Sequence, residues 1–232
     1  LDVMPFAVYS DDSEREVLDK YGVRSLKFEN RPLGRKKNAG LAALLEMEWD
    51  YMMELGSDDI VNPALMEVYQ DYFDRGVPCF GVRSCYQLEL SSGRVALFEI
   101  DYPIGAGRCI SRKVFDAMGR RWRVRYLRST NLKGENYGKG KELVYIEPVS
   151  RRLVESGLCE KVCDEHDPPG LWTDTKELGL DADSMMNLNM NGWNVDVVDV
   201  DPMIVDIKTE DNLHRFDGEN ECEGVDLTWL EL

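Results

Sequence analysis

The chain is expected to fold as an α/β protein, with a mixed, mainly parallel sheet flanked by helices. Strand-like apolar runs alternate with capped helical stretches through the first 80 residues, the pattern of strand-helix-strand units. Apolar residues make up 43% of 232, enough for one large core. A strand at 51–55 stops in a small-residue turn, and the helix after it has its own start signal at Asn62-Pro63.

Phe6–Tyr9 reads as a short buried strand. Ser13-x-x-Glu16 has the form of a capping box and opens a helix that ends near Gly22. Ser25–Phe28 is a second strand. A loop through Pro32 and Gly34 leads to a helix with apolar Leu41, Leu44, Leu45 and Trp49. After the strand at 51–55 come a helix from Pro63 to about Phe73 and a strand at 79–83. Tyr86–Leu90 and Val95–Ile100, joined across Ser91-Ser92-Gly93-Arg94, form a hairpin pattern.

Ser111 is placed to cap a helix through Met118. Trp122, Val124 and Tyr126 then alternate with Arg121, Arg123 and Arg125, as in a half-buried strand. Residues 133–141 read as a flexible, glycine-rich loop. Pro148 to Gly157 has a proline start and a glycine stop, and another helix at 182–191 ends at Gly192. Strands are expected at 194–200 and 203–207. The division is one domain over 1–216, in halves 1–100 and 101–216, and a tail. That tail, 217–232, carries six acids and no base, and is expected to be mobile or to dock only by Trp229 and Leu230.

The formal net charge of −16 repels nucleic acid and anionic membrane, so a phosphate-bearing ligand needs a local basic pocket or a metal. No run reaches the length of a transmembrane segment, and no signal-peptide pattern opens the sequence. Six scattered cysteines read as reduced thiols in a cytoplasmic chain. Cys159, Cys163 and His166 lack an evident fourth zinc ligand, so packing thiols are expected. The chain opens directly on a strand. A strand-helix unit that usually precedes this point is not visible, so either the fold is short or about 30–40 residues are absent.

Three constellations carry chemistry. Asp58 and Asp59 end a strand side by side without being consumed as helix caps, and adjacent carboxylates favour a shared cation. A hard divalent ion, Mn²⁺ or Mg²⁺, held by carboxylates and substrate phosphates, fits that pair. Arg35, Lys36 and Lys37 crowd a helix start, where the dipole disfavours bases, and an anion there would meet free N–H groups and lysines. A solvated basic turn explains the same residues. Asp181 and Asp183, spaced i, i+2 at another helix start, cannot both serve as its cap, which leaves one for general-base work.

Asn30 and Gly34 followed by Lys37-Asn38, then Gly56-Ser57-Asp58-Asp59, then Leu180-Asp181-Ala182-Asp183 with Gly192 eleven residues beyond Asp181, resemble the family 2 glycosyltransferases. Their fold is the A-type (GT-A) nucleotide-sugar-binding fold, and the resemblance spans roughly residues 5 to 200. Gly56 stands where that family has the first acid of its metal turn, and Leu180 where it has glutamate. The resemblance implies a metal-dependent, inverting transferase that moves a sugar from a nucleotide-diphosphate sugar to a carbohydrate or other hydroxyl acceptor. Asp11 would contact the base or ribose. Asn30, Lys37, Asn38, Ser57 and Asp59 would line the donor. Asp58 would hold the metal, with His214 as a late ligand, and Asp181 would be the base. A non-catalytic nucleotide-sugar binder and a sugar-1-phosphate nucleotidyltransferase stand as alternatives. Arginines at 120–128 could meet an anionic acceptor or form the wet face of an edge strand.

Overall fold

The computed structural model describes residues 1–118, 121–132, 135–140, 142–162, 170–172, 179–190, 192–210, 216 and 218–230. Among them it is a mixed α/β fold with six α-helices and several sheets, some of mixed direction. The chain begins β1 (Phe6–Tyr9), α1 (Asp12–Lys20), β2 (Arg24–Lys27), α2 (Leu33–Leu45). It continues β3 (Tyr51–Met53), β4 (Asp59–Val61), α3 (Ala64–Asp74), β5 (Cys79–Val82), β6 (Ser84–Glu89), β7 (Arg94–Glu99). Next are β8 (Cys109–Ser111), α4 (Arg112–Met118), β9 (Arg121–Tyr126), β10 (Thr130–Leu132), β11 (Glu135–Tyr137), β12 (Glu142–Ile146). The remainder is α5 (Glu147–Glu155), β13 (Cys159–Lys161), α6 (Leu180–Met190), β14 (Asp196–Val198) and β15 (Ile204–Lys208), with a short 3₁₀ turn at Gly218–Asn220. No helix among the described residues is long and apolar enough to cross a membrane.

Two compact units divide the chain, 1–49 with 115–192 and 50–114 with 193–232. Each is built from two stretches, a division that does not follow the sequence halves 1–100 and 101–216. In the first unit β1 and β2 pair in parallel, as a strand-helix-strand unit requires. Gly40 on α2 lets the helix close on β1, since a Cβ there would lie 2.5 Å from Val8 Cγ2. The sheet β12-β9-β13 is antiparallel and packs Val124, Tyr126 and Cys159 against Leu153, Val154 and Leu158. On β9, Arg125 pairs with Glu142 at 2.6 Å and Glu160 at 3.1 Å on the two neighbouring strands. That arginine serves the wet face of the sheet. Within the expected loop at 133–141, residues 135–137 form β11, which pairs antiparallel with β10.

The second unit holds two four-stranded sheets, β14-β5-β8-β3 and β4-β15-β6-β7. β14 runs parallel to β5 but β8 runs antiparallel between β5 and β3, so the first of these sheets is mixed as expected, with antiparallel pairings predominating where the sequence predicts mainly parallel ones. Leu65 and Tyr69 of α3 pack with Phe80, Val82, Ile104, Cys109, Val198 and Ile204. Each apolar side chain so buried contributes about 1.5–3 kcal/mol relative to exposure. Asn62 caps α3 as its sequence promised, its Oδ1 accepting from the Ala64 N–H at 3.0 Å. The hairpin β6–β7 also forms, closing over Gly93 at φ +71°. The acidic tail docks before Trp229 is reached. Glu221 forms a bridge to Ala96 at the edge of β7 and pairs with Arg94 at 2.6 Å, and Cys222 N–H donates to Val95 O at 2.9 Å.

Candidate functional site

In the second unit β3 ends at Met53, but its ladder with β8 runs one rung further. Glu54 N–H donates to Arg108 O at 2.9 Å and Gly107 N–H donates to Glu54 O at 2.7 Å. The side chains repeat the link, with the fully buried Arg108 2.9 Å from Glu54. From this anchored end the chain turns through Gly56, Ser57 and Asp58. Ser57 is exposed in the turn, and Asp59 is already the first residue of β4. β4 runs antiparallel to β15, which sets Asp59 opposite Asp206. Ile207 N–H donates to Asp58 O at 2.8 Å and ties the turn to the same strand.

Asp58, Asp59 and Asp206 thereby converge, each offering one carboxylate oxygen within 4.8 Å of the others. Asp206 was not among the residues singled out from the sequence. Its signal was an acid inside the apolar run Met203-Ile204-Val205-Asp206-Ile207. Gly56 has a steric reason to be glycine. A Cβ at that position would stand 2.6 Å from Asp58 Oδ1 and 2.9 Å from Asp59 Oδ2. The carboxylates occupy the space that a side chain would need, and Gly56 N–H also donates to Asp59 Oδ2.

Burial raises the Asp59 pKa to about 6, and the neighbouring Asp206 and Asp58 charges push the same way. The Gly56 hydrogen bond and the Lys208 charge oppose that rise. Lys208 itself is buried and sits 2.5 Å from Asp206. Three hard oxygen donors suit Mg²⁺ or Mn²⁺, which are held by carboxylates and complete their shells with water or phosphate. The donor set therefore fits such an ion, with Asp58, Asp59 and Asp206 to hold it.

The first unit carries the other expected residues. Asp11 is the cap of α1, and Ser13 is not. Asp11 Oδ1 accepts from Ser13 N–H at 2.9 Å and from the Ser13 hydroxyl at 2.8 Å, while Glu14 reaches back to the Asp11 N–H. Those bonds from Ser13 hold the Asp11 carboxyl below the usual aspartate range. Asn30 Oδ1 accepts from Lys36 at 3.1 Å and lies 3.4 Å from the Ser10 hydroxyl, so Ser10, Asn30 and Lys36 meet near the carboxyl ends of β1 and β2. α2 starts at Leu33 with no side-chain cap. Burial lowers the Lys36 pKa.

Asn38 is 3% exposed and faces protein. Its Oδ1 accepts from Leu171 N–H at 3.0 Å and Trp172 N–H at 3.2 Å, and its Nδ2 donates to Trp172 O at 2.6 Å. Asn187 Nδ2 adds a bond to Leu171 O at 2.6 Å. Asn38 thus clamps residues 171–172 with both ends of its amide. Lys37 lies over the Trp172 ring, 5.2 Å from the centroid.

Asp181 and Asp183 both fall inside the first turn of α6, which begins at Leu180 rather than 182. Gly179, at φ +66°, precedes it, and neither acid is the cap. Asp183 is 1% exposed, whereas Asp181 is half-buried. Leu180, where the resemblance would place glutamate, is buried as a packing residue. His214, Cys163 and His166 lie outside the described residues. Cys159 is buried on β13, with its thiol pKa pushed up by burial. No protein-family model and no curated protein matches the chain.

Proposed function

We propose that the chain is a metal-dependent, inverting glycosyltransferase that uses a nucleotide-diphosphate sugar and a carbohydrate or other hydroxyl acceptor. The observation that carries this reading is the convergence of Asp58, Asp59 and Asp206 within 4.8 Å at the end of a glycine-hinged turn. When bound there, a divalent ion supplies charge neutralisation of a diphosphate leaving group. Asp58 and Asp206 would hold the ion, and Asp59 would join them once ionised. Ser10, Asn30 and Lys36 offer hydrogen-bond donors and a cation, beside the nucleotide contacts that the resemblance implies for Asp11, Asn30, Lys37 and Asn38. Asp181 is assigned the proton of the acceptor hydroxyl, as the resemblance implies for its motif. The described cysteines are free thiols, in keeping with a cytoplasmic setting for the same proposal.

The test is calorimetry and transfer assays with a panel of nucleotide-diphosphate sugars, with Mn²⁺ and with EDTA. Donor binding that depends on Mn²⁺, followed by transfer or donor hydrolysis, is the expected result. Binding without either reaction would favour a nucleotide-sugar-binding module. Equal binding in EDTA and Mn²⁺ would remove the metal from the reading.

A further inference from the structure

Lysine is almost never fully buried unless it is paired, yet Lys208 on β15 is 5% exposed. It lies two residues beyond Asp206, on the same face of the strand, and its ammonium is 2.5 Å from Asp206 Oδ2. Its charge also reaches Asp59, where it favours the ionised carboxylate against burial. Asp58, Asp59 and Asp206 together carry −3 when ionised, and Lys208 brings the group to −2, the charge that one divalent ion neutralises.

We propose that Lys208 is the resident counter-cation of these carboxylates and sets the site's affinity for a divalent ion by competing with it for Asp206. This inference rests on the metal reading given above. Three half-buried carboxylates set close together repel one another, and a tethered ammonium relieves that repulsion when no metal is bound. The same ammonium opposes an incoming cation. The ion alone is therefore held weakly, and the added negative charge of a diphosphate ligand tips the balance toward binding. Ion and diphosphate arrive as a coupled pair, which suits a site that must release both after each turnover.

The experiment is Mn²⁺ calorimetry on the full chain for the parent, Lys208→Met and Lys208→Arg, each with and without uridine or guanosine diphosphate. Lys208→Met should bind free Mn²⁺ about tenfold or more tighter than the parent, since a unit charge at contact distance is removed from a partly buried site. Its affinity should also depend less on the diphosphate, and Lys208→Arg should resemble the parent. If Lys208→Met does not fold, Lys208→Gln carries the same expectation, because it keeps a donor for Asp206 without the charge. Should the parent bind Mn²⁺ and the neutral variant bind it no more tightly, the counter-cation inference is overturned while the metal reading stands. If neither binds, both fall. Binding by the neutral variant alone would uphold the counter-cation and remove the metal reading from the native chain.

Discussion

Asp206 stands directly across the antiparallel β4–β15 ladder from Asp59. Like charges opposed on neighbouring strands destabilise a sheet, by roughly 0.2–1 kcal/mol on exposed faces. Here the pair is half-buried, with Asp58 alongside and Lys208 as the neighbouring base. The Lys208 ammonium, 2.5 Å from Asp206, offsets part of that repulsion.

The first prediction concerns the residue that sequence motifs did not single out. Asp206→Asn should weaken Mn²⁺ binding by about tenfold or more, since even loss of an outer-shell partner of a metal ligand costs that much. Asp58→Asn should do the same. Calorimetry on both variants beside the parent decides it, and an Asp206 variant with parental affinity would confine any metal to the turn.

Gly56→Ala is the steric counterpart. A methyl group 2.6 Å from Asp58 Oδ1 and 2.9 Å from Asp59 Oδ2 must drive one carboxylate away. Mn²⁺ affinity should fall while the melting temperature changes little, because the turn is exposed and neither carboxylate belongs to the apolar core. A melting temperature that drops with affinity intact would instead make Gly56 a folding requirement.

The pH dependence follows from Asp59. Its folded pKa of about 6 lies above the 3.8 of the unfolded chain, so between these values the folded state holds more protons. Stability from this group is fully present below pH 3.8 and is lost as pH rises through about 6. In EDTA the chain should therefore gain stability on moving from pH 7.5 to 5, by about 1.4 kcal/mol, since only the unit between about 6 and 5 counts at 1.36 kcal/mol per pKa unit. Asp59→Asn should flatten this slope. With Mn²⁺ present the sign reverses, because proton and metal compete for the same carboxylate.

What the sequence disclosed depended on how local the signal was. The hairpin over Gly93, the Asn62 cap and the alternating strand at 121–126 rest on neighbours within a few residues, and all are present. Three-residue β4 and β8 have no period to read, and they exist because partners distant in sequence pair with them. Two cap signals overlap at Asp11 and Ser13, and the aspartate took the capping position, with Glu14 in place of Glu16. Asp58 and Asp59 were legible as an unusual pair. Asp206 and Lys208 were not, since only the register of β15 brings them there. Asn38 illustrates the opposite case, a motif residue whose polar groups turn inward to hold a segment more than 130 positions away.

Asn38→Ala is accordingly predicted to act on stability. It leaves the Trp172 carbonyl and the Leu171 and Trp172 N–H groups without the side chain that pairs them, and each buried group so orphaned costs about 1–3 kcal/mol. Lys37→Ala should cost far less, about 0.5–1 kcal/mol for the cation–π contact of the half-buried Lys37 with Trp172. Thermal melts of the two variants, with nucleotide titrations at a temperature where both are folded, separate the roles. Loss of nucleotide affinity in a fully stable Asn38 variant would place that residue on the donor.

The last prediction separates enzyme from binder. Asp181 and Asp183 share the first turn of α6, but their surroundings differ. Asp183 is 1% exposed, so its carboxylate is committed to the interior, while Asp181 is half-buried. If Asp181 is the general base, Asp181→Asn should keep donor and metal binding and lose about 10²–10⁴ in turnover, the usual contribution of a positioned base. Asp183→Asn should instead lower the melting temperature, because it alters a buried polar group. The measurements are transfer or donor hydrolysis by both variants beside the parent, with melting curves for each. Equal turnover in Asp181→Asn and the parent would exclude Asp181 as the base. A parent that binds nucleotide sugar in a metal-dependent way, yet is inert toward every acceptor and toward water, would make the buried Leu180 the mark of a site that binds without reacting.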